Sequence, residues 1–145
     1  MNLHIQLEGM DDVLNKLSAL SSGAESGLQK GLLQAGELVR AEAAANCPVD
    51  TGALRQSIAV EQADGTAVTV GTNVEYGIYV EFGTGAQGDP SVAHTIKAGW
   101  VYFNERTGSF VYTTGQHPQP FLVPALLSQK EAVIQAIKDG LLSEL

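Results

Sequence analysis

The chain has 145 residues, a length that suits one domain around one core. Sixteen acids against eight bases give a formal net charge of -8, which excludes the basic face a phosphate-gripping DNA binder needs. A single cysteine, Cys47, excludes an intrachain disulfide and a thiolate metal site, and no run approaches the roughly 20 apolar residues of a membrane span. Low cysteine usage points to a reducing compartment, and residues 1–6 lack the basic-then-apolar pattern of a secretion signal. Only 17% of residues are charged, which leaves surface to be covered by partners.

Leu3, Ile5 and Leu7 alternate with His4, Gln6 and Glu8, the period-two pattern of a half-buried strand that Gly9 ends. Met10, Val13, Leu14, Leu17 and Leu20 predict a first helix over about residues 10–20, with Asp11 and Asp12 in its first turn. After Ser21-Ser22-Gly23 a longer helix is predicted from Ala24 to Asn46, its stripe Leu28, Leu32, Ala35, Val39 and Ala43. Pro48 stops it by disfavouring helical backbone at the preceding residue. Pro48-Val49-Asp50-Thr51-Gly52 is a turn in which Asp50 or Thr51 can cap the short helix Ala53–Ser57. Alternation over Ile58–Glu61 and Ala67–Val70, around Asp64-Gly65, predicts a hairpin.

Val74–Phe82 fits a strand (Tyr76, Ile78, Val80, Phe82) and a helix face (Tyr76, Tyr79, Val80, Gly83) equally well. Gly85–Gly99 reads as a long, turn-rich loop of the functional kind. A second hairpin follows, Trp100–Phe103 and Ser109–Thr113. It holds five of the nine aromatics in the chain, and its apolar side needs a cover. Gly115–Pro120 is an extended, proline-stiffened link. A final helix buries Leu126, Val133, Ile137 and Leu141, with Ile134 beside them. It starts near Pro124, or after a Ser128/Glu131 capping box, and the earlier start is preferred.

Three blocks combine into a family likeness: Pro48–Ile58 (PVDTGALRQSI), Tyr76–Thr84 (YGIYVEFGT) and Gln116–Ala125 (QHPQPFLVPA). In order and spacing the chain resembles the head–tail joining, neck and tail-completion proteins of long-tailed bacteriophages and prophages. The resemblance covers nearly all of it. It implies an α+β fold, with a small twisted antiparallel sheet of about five to six strands packed on a long helix and a C-terminal helix. A loop and hairpin arm over residues 85–114 would protrude from this single domain. It also implies a non-enzymatic virion protein of the neck or tail, assembled in the bacterial cytoplasm and closing into a ring of about six or twelve copies. Its partners would be neck, connector and tail proteins, with DNA only as passing cargo and no membrane contact. In such proteins the Tyr76–Phe82 block tends to be helical, which tips that stretch towards helix. Gly77 departs from the alanine often found there and weakens a helix by about 1 kcal/mol.

No residue set points to catalysis, a metal or a cofactor. Asp50-Thr51-Gly52 could supply half of an aspartic-type dyad only in a dimer, and the turn reading is preferred. His4, His94 and His117 lack ligand spacing, and Ser57 and Ser109 lack a nucleophile context. Glu81 is either on a solvated face or paired with Arg55 or Arg40. The candidate contact residues are Tyr76, Tyr79, Glu81, Phe82 and Thr84 of the central block, Trp100, Tyr102, Phe103, Phe110 and Tyr112 of the arm, and Phe121. Pro48, Asp50, Thr51, Gly52 and Arg55 are assigned to the structural turn. A small hydrolase at Asp50, and an adaptor that binds peptide by strand addition, are the competing expectations.

Overall fold

A 23-residue helix, α1 (Ala24–Asn46), runs through the first of two units and buries Leu28, Leu32 and Val39 in its core. The computed structural model of the chain describes residues 1–6, 9, 11–13, 15–16, 23–49, 52–92 and 97–144. Its contacts divide into one unit of Met1–Val74 with Phe121–Leu145 and a second of Glu75–Pro120. The first unit holds α1, β1 (Asn2–Gln6), α2 (Ala53–Ser57), β2 (Ala59–Asp64), β3 (Ala67–Gly71), α4 (Leu122–Ser128) and α5 (Lys130–Ser143). The second holds α3 (Gly77–Phe82), β4 (Thr84–Gly85), β5 (Trp100–Asn104), β6 (Ser109–Thr113) and β7 (Gly115–Gln116). The helix expected over residues 10–20 falls largely outside the described residues, as do Leu7 and Glu8 of the first strand.

The class is α+β, and the long helix packs on the three-stranded antiparallel sheet of its own unit. The strands group into three sheets, β1-β3-β2, β4-β7 and β5-β6. In the second unit the ladders stop early for a local reason. Gly83, Gly85 and Gly115 bound the two-residue strands at φ of 74°, 64° and 101°, outside the range that a ladder continues through.

Within the first unit α1 runs over its predicted span. Cys47 takes extended backbone (φ -66°, ψ 125°), as the following Pro48 demands. Leu28, Leu32, Ala35, Val39 and Ala43 are fully buried, and each fully buried Leu or Val contributes about 1.5–3 kcal/mol. One stretch of α1 meets the sheet, where a Cβ on Gly36 would lie 2.7 Å from Val60 Cγ1. Another meets α5 backbone to backbone. A Cβ on Gly31 would lie 2.7 Å from Ile137 Cα, and one on Gly140 would lie 2.6 Å from Gly31 Cα. Lys30 and Glu144 form an ion pair beside this seam.

Three local features refine the sequence reading. The C-terminal helical region begins at Leu122 and is broken at Gln129 (φ -95°, ψ 6°) into α4 and α5. Ser128 does not form the capping box, because its hydroxyl donates back to Ala125 O at 3.2 Å. The β2–β3 turn is Gly65-Thr66, with a bulge between Gln62 and Asp64. Asp64 Oδ1 accepts from Thr66 N at 2.7 Å and from Thr66 Oγ1 at 2.8 Å, and these bonds hold its carboxyl below the usual range.

Two outcomes follow. Gly31→Ala and Gly140→Ala should each lower stability by about 1–3 kcal/mol, because helix backbone cannot yield to a new methyl. Helix propensity alone would raise stability by about 1 kcal/mol, so the sign of the change in Tm decides whether the seam is this close. Asp64 has a depressed folded pKa, so its contribution is present above the unfolded value of about 3.9 and is lost as pH falls through the folded one. The Tm gap between the native chain and Asp64→Asn should therefore be flat near neutrality and shrink in acid below that value.

Candidate interaction surface

Residues Glu75–Pro120 place nearly all the proposed contact residues in one unit. The root of this unit is a hydrogen-bond clasp. Helix α3 ends with carbonyls that have no partner within the helix, as every helix does. Gly83 N donates to Tyr79 O at 2.8 Å, and Gln116 Nε2 donates to the same oxygen at 2.9 Å. Gln119 N reaches Val80 O at 2.8 Å, and Asp89 N reaches Phe82 O at 2.7 Å. β4 pairs with β7 in the register Thr84↔Gln116 and Gly85↔Gly115. A Cβ on Gly85 would sit 2.7 Å from Thr114 O, so glycine is needed for the approach. Gln87 Nε2 adds a bond to Thr114 Oγ1 at 2.9 Å.

Beyond the clasp the loop is organised by Asp89, whose Oδ1 accepts from Ser91 N at 2.8 Å and Ser91 Oγ at 2.6 Å. The hairpin follows in the register Trp100↔Thr113, Val101↔Tyr112, Tyr102↔Val111, Phe103↔Phe110 and Asn104↔Ser109. Its turn is held by Asn104 Oδ1, which accepts from Arg106 N at 3.0 Å, and by Gly108 at φ 67°.

Residues directly opposite one another in an antiparallel pair share a face. Trp100 and Tyr102 therefore lie on one face. With Tyr76, Tyr79, Thr84 and Gln116 they line a recess of about 310 Å³. Val101, Phe103, Phe110 and Tyr112 lie on the other face. They are 60%, 51%, 76% and 66% exposed, with the Phe103 and Phe110 rings edge-on at 5.2 Å. Tyr76, Ile78 and Tyr79 add exposed area on and beside α3.

The arm aromatics are thus accessible and adjacent. Phe82 and Thr84 are half-buried. Glu81 is 2% exposed, so the solvated-face reading of it is corrected: it lies inside, where a carboxylate requires partners. Arg40 is engaged with Glu37 at 2.8 Å. Phe121 is fully buried in the first unit and presents no area to a partner in this state, because its ring belongs to the core at the start of α4. The N-cap position of α2 falls on Gly52, which has no side chain to cap with, rather than on Asp50 or Thr51; those two lie outside the described residues, so the aspartic-type site is not placed. Gly52 has φ 84°, and Arg55 Nη2 donates to Cys47 O at 3.2 Å across the base of the turn. His4 Nδ1 lies 3.0 Å from Thr69 Oγ1, His117 is exposed, and His94 lies outside the described residues. Among the described residues no group of three His, Cys, Asp or Glu could hold a metal, and no helix is long and apolar enough to cross a membrane.

Val101 and Ile78 are contact candidates that sequence reasoning passed over. Strand alternation was the available signal for Val101, since it shares a side with Phe103. The clasp was harder to see, because two-residue strands carry no periodicity.

A family model described as "HK97-gp10_like: Bacteriophage HK97-gp10, putative tail-component" matches residues 11–83, half of the chain, and stops at the root of the arm. No curated protein and no solved structure matches.

The exposed outer face should bind an apolar fluorescent dye. Phe110→Ser with Tyr112→Ser should remove most of that signal and leave the far-ultraviolet circular dichroism of the chain unchanged. Undiminished dye binding would show that this face is covered.

Proposed function

The chain belongs to the HK97-gp10-like family of bacteriophage tail components, and on that premise we propose that it is a non-enzymatic structural protein of the virion. As a tail component it would work against other proteins of the phage tail. The finer reading is that copies close into a ring at the neck or tail terminus, join head to tail, and let DNA pass. Assembly would take place in the host cytoplasm. The observation that carries this reading is the outer face of the hairpin, where four large apolar side chains are more than half exposed. A monomer rarely leaves such a contiguous patch uncovered unless a partner takes it. Contacts that repeat head to tail through a closing rotation give a ring. The charge of -8 suits a channel that repels phosphate, so that DNA slides through without sticking.

Two experiments test this reading. Particles made without the chain should accumulate as unjoined heads and tails, and supply in trans should restore joining. Electron microscopy of washed wild-type particles should show the chain as a ring at the junction, and its absence from them would end the proposal. The purified chain should also cause no mobility shift of duplex DNA at physiological salt up to about 10⁻⁴ M, the weak end of non-specific binding. Retention at micromolar concentration would contradict the passive-channel role.

A further inference from the structure

The two sides of the β5–β6 hairpin are both apolar, and they differ in shape. Trp100 and Tyr102 form one wall of the recess that Tyr76 and Tyr79 close. Val101, Phe103, Phe110 and Tyr112 form the bare outer face. We infer, resting on the ring reading above, that the occupant of this outer face is a second copy of the chain: the outer face of one hairpin lies across the recess of the next copy, and Arg106 at the tip enters among its aromatic rings.

Charge supports the choice of occupant. The tip carries Glu105 and Arg106, both exposed. Close in sequence to the recess residues stand Glu75, next to Tyr76, and Lys97, three residues before Trp100, both also exposed. Each set therefore offers one acid and one base. A tip that arrives with Arg106 towards Glu75 and Glu105 towards Lys97 meets opposite charge at both positions. None of the described lining residues of the recess is charged. An arginine that enters it comes among four aromatic side chains, Tyr76, Tyr79, Trp100 and Tyr102, whose rings attract a cation.

Area supports it as well. A Phe or Tyr side chain carries about 150–250 Å², so at these exposures the four outer residues present roughly 500 Å². Tyr76, Tyr79 and Tyr102 of the recess, at 46%, 50% and 43% exposure, present roughly 300 Å² in return. The sum approaches the ~1,000 Å² at which specific interfaces begin, before the tip and loop are counted.

The placement of the two surfaces on opposite sides of one hairpin decides the symmetry. A twofold pair that joins two outer faces leaves both recesses open. A contact between outer face and recess that two copies do not reciprocate leaves one of each open on every pair and repeats, which is the heterologous kind that closes rings.

The test uses full-length chains. Arg106→Ala with Phe110→Ser disables the donor side, and Tyr79→Ala disables the recess, with circular dichroism and Tm as folding controls. Masses are measured by sedimentation velocity over a range of concentrations up to millimolar. The native chain should assemble, each variant alone should stay monomeric, and an equimolar mixture should form one-to-one pairs that grow no further. Variants that assemble like the native chain overturn this contact and leave the ring reading standing. Variants that stay monomeric even when mixed overturn the heterologous geometry. A native chain that is monomeric throughout overturns the contact as a free-standing interface and leaves the ring reading to imaging of particles.

Discussion

A two-stranded sheet has two faces, and among the described residues one face of the β5–β6 hairpin lines a recess while the other is more than half exposed. Five-residue strands set their side chains alternately up and down, so the aromatics of the hairpin cannot all turn inward. Trp100 and Tyr102 turn towards the tyrosines around α3, and the strand geometry then turns Val101, Phe103, Phe110 and Tyr112 away. A polar set at those four positions would have given a free-standing hairpin with one wet face. The apolar set leaves that face of the hairpin apolar and exposed.

The first unit spends its apolar residues differently. Leu28, Leu32, Val39, Val68, Val70, Phe121 and Leu122 have no exposed surface. The approach of α1 to α5 is so close that glycine is required on both sides of the seam. Packing of this kind gives a rigid body, since a dense core lacks the room for small rearrangements. Exposed apolar side chains occur on this unit as well, at Val49, Leu127 and Leu142, but they are scattered rather than set side by side on one hairpin face.

Much of this was legible in the residues. The span of α1 could be read from its stripe and from Pro48, and both hairpins from alternation around turn residues. Residues 77–82 were not decidable by pattern, because a run of six satisfies either period. What supports the helix is the capping of Tyr79 and Val80 carbonyls by residues 116 and 119, distant in sequence and invisible to any local window, with Asp89 closing on the Phe82 carbonyl from seven residues on. The same distance hid the β4–β7 pair. Ser128 and Glu131 had the right spacing for a cap, yet the Ser128 hydroxyl turned back to a carbonyl of its own helix, the competing local bond open to a serine. Of the candidate contacts, aromatic identity found the arm. It could not tell the buried Phe121 from the exposed Phe110, since burial depends on which neighbours arrive.

The clasp at Thr84-Gly85 and Gly115-Gln116 has an evolutionary side. It fixes both ends of the intervening thirty or so residues at one ladder spacing, so the entropy of closing that loop grows only slowly with its length. Whatever sequence lies between the clasp strands can be lengthened, shortened or exchanged at little thermodynamic expense to the helix-and-sheet body. Such a chain is a socket with an interchangeable insert, free to track changes in its neighbours while its scaffold stays the same.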